Sequence, residues 1–139
     1  MRVLLAATLI SAAACGGAPP FTGIECGTTD EQFGTSFDTT GRDCIWNAYE
    51  NAREARWTLR SYTIEGDPIP TTLLFRPAGG IGLVVTRDTS ADKFGGVGNQ
   101  LLVTYRCITM TKVPYGGDIS RYRFMLTNCT GDGPSTTIL

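Results

Sequence analysis

The chain has 139 residues, 42% of them hydrophobic, which is the length and apolar content of one domain with a modest core. Seventeen glycines and seven prolines point to short strands joined by turns, not to a helical bundle. Twelve Lys and Arg against thirteen Asp and Glu give a net charge of -1, with no basic surplus for nucleic acid, and the absence of histidine removes Ser-His-Asp and Cys-His catalysis and the common zinc sites.

Residues 1–14 read as an export signal: Arg2 is the positive start, Val3 to Ile10 the apolar region, and Ala12-Ala13-Ala14 the small residues before a cleavage site. The apolar run is far shorter than the roughly 20 residues a spanning helix needs. Ser11-Ala12-Ala13-Ala14-Cys15 has the form of a bacterial lipobox, in which Cys15 is acylated and becomes the first residue of the mature chain. Ala12 stands where a large aliphatic residue is usual, and ordinary cleavage after the alanines is the alternative. Parity favours the lipid, because five cysteines leave one unpaired. With Cys15 acylated, Cys26, Cys44, Cys107 and Cys129 remain for two disulfides outside the cytoplasmic membrane.

Residues 15–38 are Gly-, Pro- and Thr-rich and read as a lipidated tether and surface loop. A domain over 39–129 follows. Thr40 as N-cap, with Asp43 reaching back to it, starts a helix that runs to about Arg56. Cys44, Ile45, Ala48, Tyr49, Ala52 and Ala55 share its buried face, and charged and amide residues share the other. Trp46 falls outside that face, as a cover over a neighbouring loop or as an exposed anchor for a partner.

A first strand runs from Trp57 to Glu65, closed by the Gly66-Asp67-Pro68 turn. Thr71 to Arg76 and Ile81 to Arg87 make the second and third, and Gln100 to Thr109 the fourth, with Leu101, Val103, Tyr105 and Cys107 on one side. Ser120 to Cys129 makes a fifth with Tyr122, Phe124 and Leu126 inward, and 130–139 reads as a flexible tail. The fold expected is α+β, one amphipathic helix packed on a four- or five-stranded antiparallel meander. Four cysteines allow three pairings. Cys44 and Cys107 both face the core, so alternation pairs them and leaves Cys26 with Cys129.

Asp43-Cys44-Ile45-Trp46-Asn47-Ala48-Tyr49, Thr63-Ile64-Glu65-Gly66-Asp67-Pro68-Ile69, Asp92-Lys93-Phe94-Gly95 and Arg106-Cys107 together resemble an uncharacterised family of small exported bacterial proteins. These carry a cysteine-bearing helix, a T-x-E-G-D-P-I turn, a D-x-F-G loop and a late cysteine. The resemblance covers about Arg42 to Cys107. It implies a helix followed by an antiparallel sheet and agrees with the Cys44 to Cys107 pairing. No activity comes with it.

Candidate chemistry is sparse. Glu65 with Asp67, or Asp88 with Asp92, could serve acid–base hydrolysis if a cleft held them together, but Asp67 before Pro68 is ordinary turn chemistry. Asp88, Ser90 and Asp92 alternate like the start of a calcium loop, yet Lys93 stands where glycine belongs and Asn99 where glutamate belongs. Gly95 to Gly98 leads into a strand, not into a phosphate-binding helix. Asn128-Cys129-Thr130 fits a glycosylation sequon by chance. The function expected is therefore non-catalytic, with no cofactor or metal: a membrane-anchored envelope lipoprotein binding a protein, peptide or cell-wall component. Arg106, Arg121 and Arg123, gathered on the outer face of the sheet, and Trp46 are the candidate contacts. A small carboxylate-dependent hydrolase and a structural or inhibitory lipoprotein are the alternatives.

Overall fold

The computed structural model describes residues 20–32, 37–77, 82–95 and 101–139. The signal 1–14, Cys15 and the start of the tether lie outside these residues, as do Ile81, Asn99 and most of the Gly-rich loop.

The described chain is mostly β with one helix. Its order is β1 (Ile24–Glu31), α1 (Thr40–Glu50), β2 (Ala55–Tyr62), β3 (Pro68–Arg76), β4 (Gly82–Asp88), β5 (Leu102–Cys107), β6 (Thr109–Tyr115), β7 (Asp118–Thr127), β8 (Thr130–Gly131) and β9 (Thr136–Ile138). A six-stranded sheet runs β1-β2-β3-β4-β5-β8, and a three-stranded antiparallel sheet runs β6-β7-β9. The central β2 to β5 do form the expected antiparallel meander. The first sheet is nevertheless mixed, because β1 lies parallel to β2 with α1 as the crossover between them.

The tether reading of 15–38 is corrected by β1. The sequence conceals this strand because Glu25 and Thr28 bracket a register shift, with Gly27 at φ 74°. The bulge slips the alternation by one residue, so that Cys26 and then Thr29 face inward. The tail reading of 130–139 is corrected too. Two short strands occupy that stretch, and the buried Leu139 exchanges both backbone hydrogen bonds with Phe124, at 2.7 and 2.9 Å. The fourth expected strand is two strands: the chain leaves β5 at Ile108 and enters β6, whose Pro114 is tolerated because β6 is an edge strand.

The helix is shorter than its periodicity suggests. The N-cap is Thr39, not Thr40, and it makes no side-chain cap; Asp38 just ahead of it accepts the Thr40 N–H at 2.9 Å, and that hydrogen bond holds the Asp38 carboxyl below its ordinary range. Asp43 turns instead to the Tyr122 hydroxyl. Burial, and then this hydrogen bond, push the Tyr122 phenol up. At the far end Ala52 adopts φ 49°, the Arg53 N–H reaches Ala48 O, and the Ala52 N–H reaches Tyr49 O, the Schellman pattern. Alanine takes the place usually held by glycine, so the stop carries no sequence signal.

The inner face of the larger sheet packs on α1 and on the smaller sheet. Ile45 and Ala48 of the helix meet Trp57, Leu73, Leu83 and Val85 from one sheet and Phe124 and Leu126 from the other, all fully buried. Trp57 lies edge-on to Phe124 at 5.9 Å and donates its indole N–H to the Thr29 hydroxyl at 3.0 Å. Gly41 makes that approach possible, since a Cβ there would fall 2.3 Å from the Trp57 Nε1 and 2.7 Å from the Thr29 Oγ1.

The disulfides are Cys26–Cys44 and Cys107–Cys129, which corrects the Cys44–Cys107 and Cys26–Cys129 pairing. Cys107 does face the core, as alternation requires. The error lay in Cys26, which sits inward on β1 against the helix and so lies nearest Cys44. Cys107 closes instead on Cys129, because Asn128, at φ 55°, turns the chain from β7 into β8, and β8 pairs with β5. Two disulfides place the domain in an oxidising compartment outside the cytoplasm. No helix among the described residues is long and apolar enough to cross a membrane.

The Gly41 contact yields a first test. Gly41→Ala overpacks the Trp57 and Thr29 junction and should destabilise the fold by about 1–3 kcal/mol in urea unfolding. A loss under about 0.5 kcal/mol would show that the junction yields freely.

Candidate functional site

The inner face of the larger sheet is left uncovered at one end, where β1, β2 and β4 finish and β3 and β5 begin. There a cleft of about 730 Å³ opens between the sheets, within the size range of ligand sites. Glu31, Leu59, Ser61, Thr71, Arg87 and Val103 form its floor, the segment Asp132 to Leu139 one wall, and Asp92, Gly95 and Leu101 a lip, with Arg123 reaching in from β7.

The charges in and around the cleft divide into engaged and free. Glu31 is held by Arg42, which is itself fully buried, donates to the Asp38 carbonyl oxygen at 3.0 Å and lies over the Phe37 and Trp57 rings at 4.5 and 5.1 Å. Asp92 accepts the Phe94 N–H at 3.1 Å. Arg123 is set 4.1 Å over the Tyr115 ring, and its buried Nε has no hydrogen-bond partner among the described residues. Arg87 is exposed and joins none of the ion pairs formed by Arg42, Arg56, Arg60, Arg76 and Lys93. The Tyr105 and Thr137 hydroxyls bond each other at 2.7 Å across the gap between the sheets.

The lip is fixed by Asp67. Its turn closes through the Asp67 N–H to the Thr63 hydroxyl and the Thr63 N–H to Asp67 O, both at 3.0 Å. The buried Asp67 carboxylate then accepts the Lys93 N–H at 3.0 Å, with Lys93 Nζ 3.6 Å away. The Thr63 to Ile69 turn and the Asp92 to Gly95 loop, distant in sequence, are thus one unit. Gly95 lets the loop fold back, since a Cβ there would fall 2.6 Å from the Asp92 carboxylate.

The anticipated contacts are placed differently. Trp46 is half-buried, stacked on Phe124 at 5.9 Å with Lys112 Nζ 4.9 Å from its ring, so it covers the core instead of standing free. Arg106, Arg121 and Arg123 do not gather on one face. Arg106 lies on the outer face of the larger sheet, in register with Val84. Arg121 and Arg123 share the Tyr115 ring on the other sheet, at 5.4 and 4.1 Å. Glu65 is exposed on its turn while Asp67 is engaged, and Asp88 accepts the Ser90 N–H at 2.9 Å, so these carboxylates serve their own loops. Arg87, near the end of β4, carries no motif of its own. Its inward phase with Leu83 and Val85, continued past the last apolar residue, was the available signal.

The outer face of the larger sheet carries Thr28, Thr58, Thr72, Thr86 and Thr104 in one cross-strand row. Hydroxyl contacts at 3.1 Å (Thr58 to Thr72) and 3.3 Å (Thr86 to Thr104) pair them internally. The row runs across five neighbouring strands of the larger sheet. It stabilises the sheet through cross-strand pairs. Compared with family models, curated proteins and solved structures, the chain finds no match.

The role of Asp67 separates its two contacts. The Lys93 ammonium is mostly exposed and contributes little, whereas the buried N–H needs its acceptor. Asp67→Asn should keep the lip near native stability, and Asp67→Ala should lose about 1–3 kcal/mol locally. Amide exchange at Lys93 reads this directly; equal acceleration in both variants would make the ion pair the important contact.

Proposed function

We propose that this chain is an exported, lipid-anchored and non-catalytic binding module of the bacterial cell envelope, which receives its ligand in the cleft between its sheets. The observation that carries the reading is the cleft itself, of ligand size and furnished with guanidinium groups that no carboxylate of the described chain neutralises.

The polarity of the fold supports it. The stretch from Cys15 to Ile24 reaches at most about 30 Å and enters the domain at the start of β1. Because β1 and β2 are parallel, the start of β1 is one strand length from the Thr63 turn, the Asp92 loop and the cleft. An anchor at Cys15 would join the domain at the end opposite the cleft. The hydrolase alternative receives less support, since Asp67 is engaged by the Lys93 N–H and Glu65 stands out on its turn.

Two experiments follow. Mass spectrometry of the protein from its native cell should find Cys15 acylated, and an unmodified amino terminus there would overturn the anchored reading. For the cleft, Leu101 and Leu102 are adjacent, yet Leu101 lines the cleft while Leu102 is exposed on the opposite face in phase with Thr104. A photo-crosslinking phenylalanine analogue at Leu101 should give adducts in the cell and one at Leu102 should not. Equal labelling, or none from Leu101, would remove the cleft from the binding role.

A further inference from the structure

Resting on the cleft reading, we infer that the ligand is a polypeptide segment in which a carboxylate is flanked by large apolar side chains. The carboxylate would lie between Arg87 and Arg123, and the apolar neighbours on Phe94 and Leu101.

Three features of the cleft select this class together. The first is charge. Glu25, Asp30, Glu31, Glu54 and Asp67 neutralise Arg56, Arg60, Arg42, Arg76 and Lys93; of the six cations that join no ion pair among the described residues, Arg87 and Arg123 are the two that line the cleft. Arg87 rises from the floor on β4 and Arg123 reaches in from the opposite sheet, its guanidinium oriented by the Tyr115 ring and its buried Nε left without an acceptor. A guanidinium that lines the cleft without a counter-charge gains from an incoming anionic acceptor, and its geometry suits the two oxygens of a carboxylate.

The second feature is an apolar lip. Phe94 stands 70% exposed between Asp92 and Gly95, which both line the cleft, and Leu101 is 52% exposed on the same lip. The Asp67 contact to Lys93 holds that loop in place, so these side chains are presented on a supported edge. The third is Asp132, which lines the facing wall and can accept an N–H. A polypeptide supplies a carboxylate, apolar side chains and backbone N–H donors at once. An acidic saccharide lacks the large apolar groups, and inorganic phosphate lacks both these and the donors.

The test is selection of random twelve-residue displayed peptides on the full chain, with affinities then measured on synthetic peptides. Enriched sequences should place Asp or Glu beside Leu, Ile or Phe. Arg87→Ala, Arg123→Ala and Phe94→Ser should each weaken binding by about tenfold or more, while Leu102→Ser on the opposite face should not. Urea unfolding of each variant separates lost binding from lost folding, and Arg87, exposed and unpaired, is the variant least able to disturb the fold. Neutral or basic selected sequences, or binding indifferent to Arg87→Ala, would overturn the inference. So would the absence of any enriched peptide. Titration with oligoglucuronate and with inorganic phosphate distinguishes the two failures. If either perturbs the Arg87 and Thr71 resonances while no peptide binds, the cleft is a ligand site and the polypeptide class is wrong. If nothing perturbs them, the cleft reading falls as well.

Discussion

The fold depends on burying one guanidinium. Arg42 is fully buried, and a charge in that position persists only where it is paired and hydrogen-bonded. Its partners come from separate parts of the chain: Glu31 at the end of β1, the Asp38 carbonyl ahead of the helix, Phe37 on one side and Trp57 of β2 on the other. These contacts, which leave its Nε without a partner among the described residues, hold the first turn of α1 over the junction of β1 and β2. Gly41, next to it, is there because Trp57 and Thr29 leave no room for a side chain.

Much of the remaining organisation follows from that junction. With β1 drawn in parallel to β2, Cys26 lies under the helix and closes on Cys44. The second disulfide then belongs to the other end of the chain, where β8 is laid against β5 and Cys129 reaches Cys107. Each bridge staples a segment that has few residues with which to bury itself. That is where a crosslink adds most to a small domain, by about 2–4 kcal/mol each.

Legibility in the sequence tracked how far each element obeys simple periodicity. β5 and β7 alternate cleanly, and Val103, Tyr105, Cys107, Tyr122, Phe124 and Leu126 face the core as expected. β1 was hidden by the bulge at Gly27, the end of α1 by an alanine at the left-handed position, and β6 by Pro114. β8 and β9 are too short to carry a pattern at all. The cleft was less legible still, because its parts meet only through the pairing of strands. Arg123 was noticed for its charge, Asp92 and Gly95 as parts of the D-x-F-G pattern. What joins that pattern to the Thr63 turn is a buried carboxylate and a backbone N–H, a contact no spacing rule anticipates.

The carboxylates bear on what kind of site the cleft can be. An acid catalyst needs a carboxyl whose proton is retained near neutrality, which burial or a neighbouring like charge provides. In this chain the acids are repeatedly turned onto N–H and hydroxyl donors. Hydrogen bonds from Thr40, Ser90 and Ser120 hold Asp38, Asp88 and Asp118 below the ordinary range. Asp92 on the lip and Asp67 beneath it accept backbone N–H groups of that loop, so their lone pairs position loops. The two arginines that line the cleft, Arg87 and Arg123, join no ion pair among the described residues, as is true of several cations elsewhere on the surface. On the proposed reading, a cleft whose Asp92 is taken up by its own lip and whose Arg87 and Arg123 join no ion pair among the described residues suits an anionic ligand better than acid catalysis, at the end of the domain opposite the entry of an anchored chain.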